Sequence, residues 1–236
     1  MPPDDQGNHP QRGPLLSRQV LSDTVYEAVK ERIMNLTIPP DVRINMDELA
    51  RELGVSNTPL REALSRLETE GLVTRKQLHG YRTTGLLGER ELRELYFVRL
   101  LLEPAAAREA ALHAEPHALE ASLGKALGQM MELAHLPKLD RGYHTYRAFA
   151  EADARFHQAI ALASGNQLVA SMLTALHAHG HAYRLYFRAG MAPETVNEHL
   201  QILDALLDQN PDVAASSMQA HLEASRDRFL PIVKDE

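Results

Sequence analysis

Apolar residues recur every three to four positions along most of this chain, the spacing of amphipathic helices. Val25, Val29, Ile33 and Leu36 predict a first helix, which Pro39-Pro40 ends. NMDELARELG predicts a short second helix stopped by Gly54. Ser56 is placed to cap a third helix, with Pro59 in its first turn and an inward stripe of Leu60, Ala63, Leu64 and Leu67. Gly71 stops that helix. LVTRK and YRTTG, joined around Gln77-Leu78-His79-Gly80, then predict a two-stranded wing. Beyond the joint TTGLLGER the pattern is helical throughout and rich in Ala and Leu. Breaks at Pro116, Pro137, Gly165-Asn166, Pro193 and Pro211 divide it into about six helices.

The predicted fold is therefore mainly α: three helices and a two-stranded wing, followed by an all-α bundle. The domains are a disordered tail over 1–17, a compact unit over 18–84, a linker over 85–90, and a helical domain over 91–236.

Composition narrows the possibilities. The 236 residues are 44% hydrophobic, enough for real cores. Without cysteine, disulfides, thiolate metal sites and thiol catalysis are excluded, which suits a reducing cytoplasm. The polar, Pro-rich N-terminus has no apolar segment of signal-peptide type. No apolar run approaches the ~20 residues of a membrane helix, so no membrane partner is expected. The net charge of −7 is unevenly spread. Residues 18–84 hold 10 Lys/Arg and 10 Asp/Glu, whereas residues from 85 onward hold 14 and 20. Acidity belongs to the helical part, which leaves room for a locally basic face in the first unit.

In the third helix the side opposite the stripe carries Asn57, Thr58, Arg61 and Ser65. These are short hydrogen-bonding groups and one Arg, suited to base edges and phosphates. Arg75, Lys76, His79 and Arg82 lie in the wing beside Gly80, suited to phosphate contact. A solvated helix face beside an ordinary loop is the plainer reading of any one of these residues. Their ordered combination favours DNA. YEAVKERIMNLTIPPDVRINMDELARELGVSNTPLREALSRLETEGLV, followed by HGYRT, resembles the winged-helix domain of GntR-family bacterial transcription regulators. The resemblance implies Ser56, Asn57, Thr58, Arg61, His79 and Gly80 as DNA contacts. The chain departs from the family at Pro40-Asp41, where Gly is usual, and at Asn57, where Arg is usual.

The helical part holds polar residues on apolar stripes. Asp153 and His157 fall on the stripe of Phe149, Phe156 and Ile160. His199 falls on that of Val196, Leu203 and Leu206, and His221 beside Met218 and Leu222. A carboxylate facing a core is costly unless it is paired or binds a cation. One Asp and three His converging from three helices form a metal-site composition, against the plainer reading of core histidines bonded to carbonyls. His113, His117, His135 and His144 sit near helix ends and read as solvated or capping. His177 and His181 form a second four-residue pair that reads as pocket wall or solvent face. DARFHQAIALASGN, EHLQILDAL and AASSMQAHL resemble the FCD effector domain of the FadR subfamily. That resemblance implies one divalent ion on Asp153, His157, His199 and His221, with zinc the first choice and Ni, Mn or Fe admitted by the same ligands.

Arg99 and Glu103 also lie one turn apart on an apolar face. They read either as an internal pair or, by the same resemblance, as a carboxylate-binding Arg in an effector pocket, to which Asn166 contributes. The resulting expectation is a non-enzymatic, ligand-responsive regulator, a repressor by preference. It is expected to bind a palindromic double-stranded operator as a homodimer and to respond to a small carboxylic acid. Two rivals are a metal-dependent hydrolytic enzyme, which would need a general base beyond the ligands, and a DNA-binding protein with a purely structural bundle.

Overall fold

The computed structural model describes residues 18–76, 80–136, 142–178 and 193–234. The tail, His79 and His181 lie outside the described residues. α1 (Arg18–Met34), α2 (Met46–Leu53) and α3 (Asn57–Thr69) precede β1 (Val73–Lys76) and β2 (Gly80–Thr83). The strands pair antiparallel, with Val73 opposite Thr83 and Lys76 opposite Gly80. Val29, Ile33, Leu60, Leu64 and Leu67 form the heart of this unit's core.

Three local details differ from the pattern's prediction. α1 ends at Met34, well before Pro39-Pro40, because Leu36 adopts a left-handed φ of 64° and its N–H bonds back to Ile33. Leu36 thus closes the helix instead of extending its stripe. Ser56 stands at the N-cap of α3, but its side chain makes no capping bond. Asp41, where the resembled family favours Gly, has φ 54°, and both its carbonyl and its carboxylate accept from Arg82. The side-chain clamp holds a backbone shape that Gly would adopt without strain.

The helical unit comprises α4 (Glu89–His113), α5 (Pro116–Ala134), α6 (Tyr143–Ala163), α7 (Gln167–Ala175), α8 (Pro193–Leu207) and α9 (Pro211–Lys234). Pro116, Pro193 and Pro211 each open a helix, where a missing N–H costs nothing. Pro104 sits inside α4 without dividing it. α9 packs along α4 and α8, and α5 along α6, around a core containing Tyr96, Leu123, Phe149, Phe156 and Phe229. Ala150 of α6 joins the winged unit's core, and Tyr146 packs against both cores. Among the described residues, no helix is long and apolar enough to cross a membrane.

Candidate metal centre and nucleic-acid interface

α3 turns Leu60, Ala63, Leu64 and Leu67 wholly inward, which leaves Ser56, Asn57, Thr58, Arg61 and Ser65 exposed. The wing brings exposed Arg75, Lys76 and Gly80 beside Arg61 on the wall of one groove of about 590 Å³. Several other basic side chains of this unit are engaged within it. Arg66 bonds Asp23 at 2.6 Å and lies 3.8 Å over the Tyr26 ring. Arg82 is held by Asp41. Arg61, Arg75 and Lys76 are the basic side chains of that groove, whose wall also carries Glu68. The Asn57 amide donates to Asp47 of α2 at 2.9 Å, a contact across the helix–turn–helix that the sequence pattern did not signal.

In the helical unit the structure brings Asp153, His157, His199 and His221 together. All four are buried, and their candidate ligand atoms lie within 4.8 Å of one another. α6 supplies Asp153 and His157 from one face, four residues apart. α8 and α9 supply His199 and His221. Nε2 of His199 is 3.1 Å from Asp153 Oδ1, yet it is buried and makes no aligned hydrogen bond. Nε2 of His157 is 3.8 Å from the same oxygen.

Each imidazole is gripped from behind. His199 Nδ1 meets the Thr195 carbonyl at 2.6 Å, His221 Nδ1 meets Glu198 at 2.8 Å, and His157 Nδ1 meets Glu103 at 2.5 Å. A carbonyl can only accept. The two carboxylates are also kept ionised. Burial would raise Glu198, but its bonds from His221 and Arg228 outweigh this and lower it to about 2. Burial opposes Glu103 as well, and the Arg99 charge, with hydrogen bonds from His157 and Arg99, carries it well below the usual range. Each Nδ1 is thus the donor, which leaves each Nε2 as the ring nitrogen turned away from its support. Burial, reinforced by the neighbouring His199 and His157, pushes His221 down to about 3 despite Glu198. Burial also lowers His157 against the pull of Glu103. Three imidazoles and a carboxylate with ligand atoms gathered this closely are a donor set for a cation. The hydrogen bonds behind them are the support that metal-bound histidines use. The residues present fit a divalent ion.

Arg99 and Glu103 form a buried pair at 2.5 Å. Of the two sequence readings, the internal pair is the contact the structure places there, and Glu103 extends it to His157. Asn166 is exposed at the start of α7, where its side-chain oxygen accepts from Leu168 and Val169 N–H groups. That is a capping role. His113 and His117 are exposed, and His135 bonds the Met131 carbonyl. His177 packs on Gly71 of the winged unit. Glu198 and Thr195 went unmarked by sequence reasoning. Thr195 lies one turn before His199, a spacing that signals a back-bonded ring. Glu198 is adjacent to His199 in sequence but serves a histidine on the next helix.

Comparisons with known proteins bear on both units. The profile of the bacterial regulatory proteins of the gntR family matches residues 21–83, and that of the FCD domain matches residues 94–224. The chain is 31% identical to the uncharacterised HTH-type transcriptional regulator YcbG of Bacillus subtilis, over 88% of this chain and 91% of that protein. It is 29% identical to a probable D-xylose utilization operon transcriptional repressor of Paenarthrobacter nicotinovorans, over 92% and 90%. A crystal structure of a GntR transcriptional regulator from Rhodococcus sp. RHA1 shares the fold, with a TM-score of 0.66 at 19% identity, covering 89% of this chain and 97% of that one.

Proposed function

Because the chain belongs to the gntR family of bacterial regulatory proteins and carries that family's DNA-binding helix–turn–helix together with an FCD effector-binding domain, we propose that it is a cytoplasmic, homodimeric repressor that loads one divalent ion per chain and answers to a small carboxylic acid. Its relatives are regulators of transcription, not enzymes. α3 enters the major groove with Asn57, Thr58, Arg61 and Ser65 toward base edges and phosphates. The wing sets Arg75, Lys76, Gly80 and His79 against the backbone. Two copies read the halves of a palindrome spaced by about one turn of DNA. The description of the Paenarthrobacter relative as a transcriptional repressor supports repression.

Asp153, His157, His199 and His221 hold the ion. Zinc suits this set, as do Ni, Mn and Fe. When bound, the ion supplies a Lewis-acidic position for a carboxylate. Arg99 stands behind the site through Glu103, so its charge steadies the ligand shell and the acid bound beside it. Acid binding shifts the placement of the winged helices and thereby the affinity for DNA. The observation that carries this reading is the set of three buried imidazoles whose Nδ1 atoms are all engaged by acceptors while Nε2 faces Asp153. Metal analysis of purified protein should find about one divalent ion per chain. DNA selection should return a palindrome that the protein releases on addition of an active acid. Protein that carries no metal after growth with each of the four candidates overturns the metal assignment.

A further inference from the structure

α4 turns a narrow row of apolar side chains to solvent. Phe97, Leu101 and Leu112 are 64%, 60% and 48% exposed, and Ala105 is exposed between them. At 3.6 residues per turn, these four and the exposed Arg90, Glu94 and Arg108 all point within about 40° of the Leu101 direction. Single apolar side chains are ordinary on a surface, but a row of them along one helix face marks a docking edge. The opposite side of the same helix carries the buried Arg99 and Glu103.

The row reads the same in both directions. Its members fall at steps of four, three and four residues on either side of Leu101: Phe97, Glu94 and Arg90 before it, Ala105, Arg108 and Leu112 after it. A second α4 laid antiparallel, with a two-fold axis at Leu101, therefore matches the row member by member. Phe97 falls opposite the partner's Ala105, a large side chain against a small one. Glu94 falls opposite the partner's Arg108, and Arg93, beside the row, opposite the partner's Glu109. The aliphatic stem of Arg90 covers the partner's Leu112. These charged side chains are all exposed, so each is within reach of a partner. Arg108 also bonds Asp212 of α9, and Arg93 bonds Glu89 at 2.7 Å. A guanidinium has five N–H donors and can hold a second carboxylate. Parallel packing would set Glu94 against Glu94 and Arg108 against Arg108, so charge selects the antiparallel arrangement.

We propose that two copies of this chain join through this row, α4 against α4, antiparallel about a two-fold axis at Leu101. This placement rests on the homodimeric reading and fixes where the copies meet. It makes α4 a rod shared between the dimer seam and the metal centre: its front faces the partner, and its back carries Glu103 to His157.

The full chain has no cysteine, so one introduced thiol reports on the seam without background. Leu101→Cys should form a disulfide-linked dimer on mild oxidation, because facing backbones of packed helices approach within disulfide reach. Leu112→Cys should not, since the two copies of that position lie about 33 Å apart in this register. In sedimentation over a dilution series, wild type should be dimeric. Leu101→Lys should raise the dimer dissociation constant by about 100-fold or more, by removing a central anchor and setting two like charges together. Glu94→Arg and Arg108→Glu should each weaken the dimer by about tenfold, and the double reversal should restore most of the loss. Circular dichroism confirms that each variant is folded, which these exposed positions permit. A wild type that stays monomeric at every concentration overturns the homodimeric reading and this interface together. A dimeric wild type whose Leu101→Lys variant dimerises equally well overturns this interface and leaves the homodimer standing. Cross-linking of Leu112→Cys as efficient as that of Leu101→Cys overturns the register, and a double reversal no better than either single change overturns the charge pairing.

Discussion

The two units treat charge in opposite ways. In the winged unit, ion pairs such as Arg66–Asp23 lie at the surface, with side chains 47% and 56% exposed. In the helical unit, Arg99–Glu103 is 3% and 4% exposed and continues inward to His157. Surface pairs are screened and contribute little, so residues there are free to serve DNA. A buried charge must be matched by a fixed partner, so the helical unit's polar residues form a connected shell around one point. A surface site is built from residues that structure does not need, whereas a core site is built from residues the core tolerates only in company.

Cutting one equivalent link in each unit sharpens the comparison most. Glu103→Gln leaves Arg99 buried without its counter-charge and should cost about 3–5 kcal/mol of unfolding free energy. Asp23→Asn, the same chemistry at the surface, should cost about 1 kcal/mol or less. Denaturant titration of both variants checks this, and similar losses would erase the distinction.

Removing a ligand should act on metal more than on anything else. His199→Ala is expected to weaken divalent-metal affinity by more than about 100-fold, beyond what loss of a supporting residue does. Glu198→Gln, which touches no metal but holds His221, should cost about 10–100-fold. Competition with a chromogenic chelator ranks the two. Equal affinities for Glu198→Gln and wild type would reduce Glu198 to a surface partner of Arg228.

A third test reads burial through pH. In metal-stripped protein His221 stays neutral down to about 3, while in the unfolded chain it takes up a proton near 6.5. Between these values the unfolded state binds more protons, so stability is full above pH 6.5 and falls as pH drops. The slope is about 1.4 kcal/mol per pH unit for this group. His157 is shifted the same way and steepens the loss. Stability that stays flat from pH 6.5 to 5 would show these rings charged in the folded state.

On the DNA side the expected effects are of similar or smaller size and are confined to recognition. Asn57→Arg should move preference toward G·C at the base pair it reads, by about 1–3 kcal/mol, and leave folding nearly untouched. It also gives up the bond to Asp47. Lys76→Ala should weaken all sequences alike and reduce the salt slope by about one. Selection on randomised DNA separates the two, and identical preferred sequences for wild type and Asn57→Arg would remove Asn57 from base reading.

Periodicity alone determined a good deal about this protein. It placed α2, α3 and the six later helices, marked breaks at Pro116, Pro193 and Pro211, and put Asp153, His157, His199 and His221 on inward faces. Helical spacing decides which way a side chain points relative to its own helix, and a polar residue on an apolar stripe is visible for that reason. Packing between elements decided the rest. Glu103 lies 54 residues from His157, and Glu198 lies 23 from His221. Asp47 sits ten from Asn57, and the wall of a cavity between the two units is drawn from α1, α4, α6, α7 and the turn after α3. None of these pairings follows from spacing, because each depends on how one helix is laid against another. Even the end of α1 at Met34 was set by the fold, where Leu36 just beyond it takes a left-handed turn that a leucine's own preference opposes.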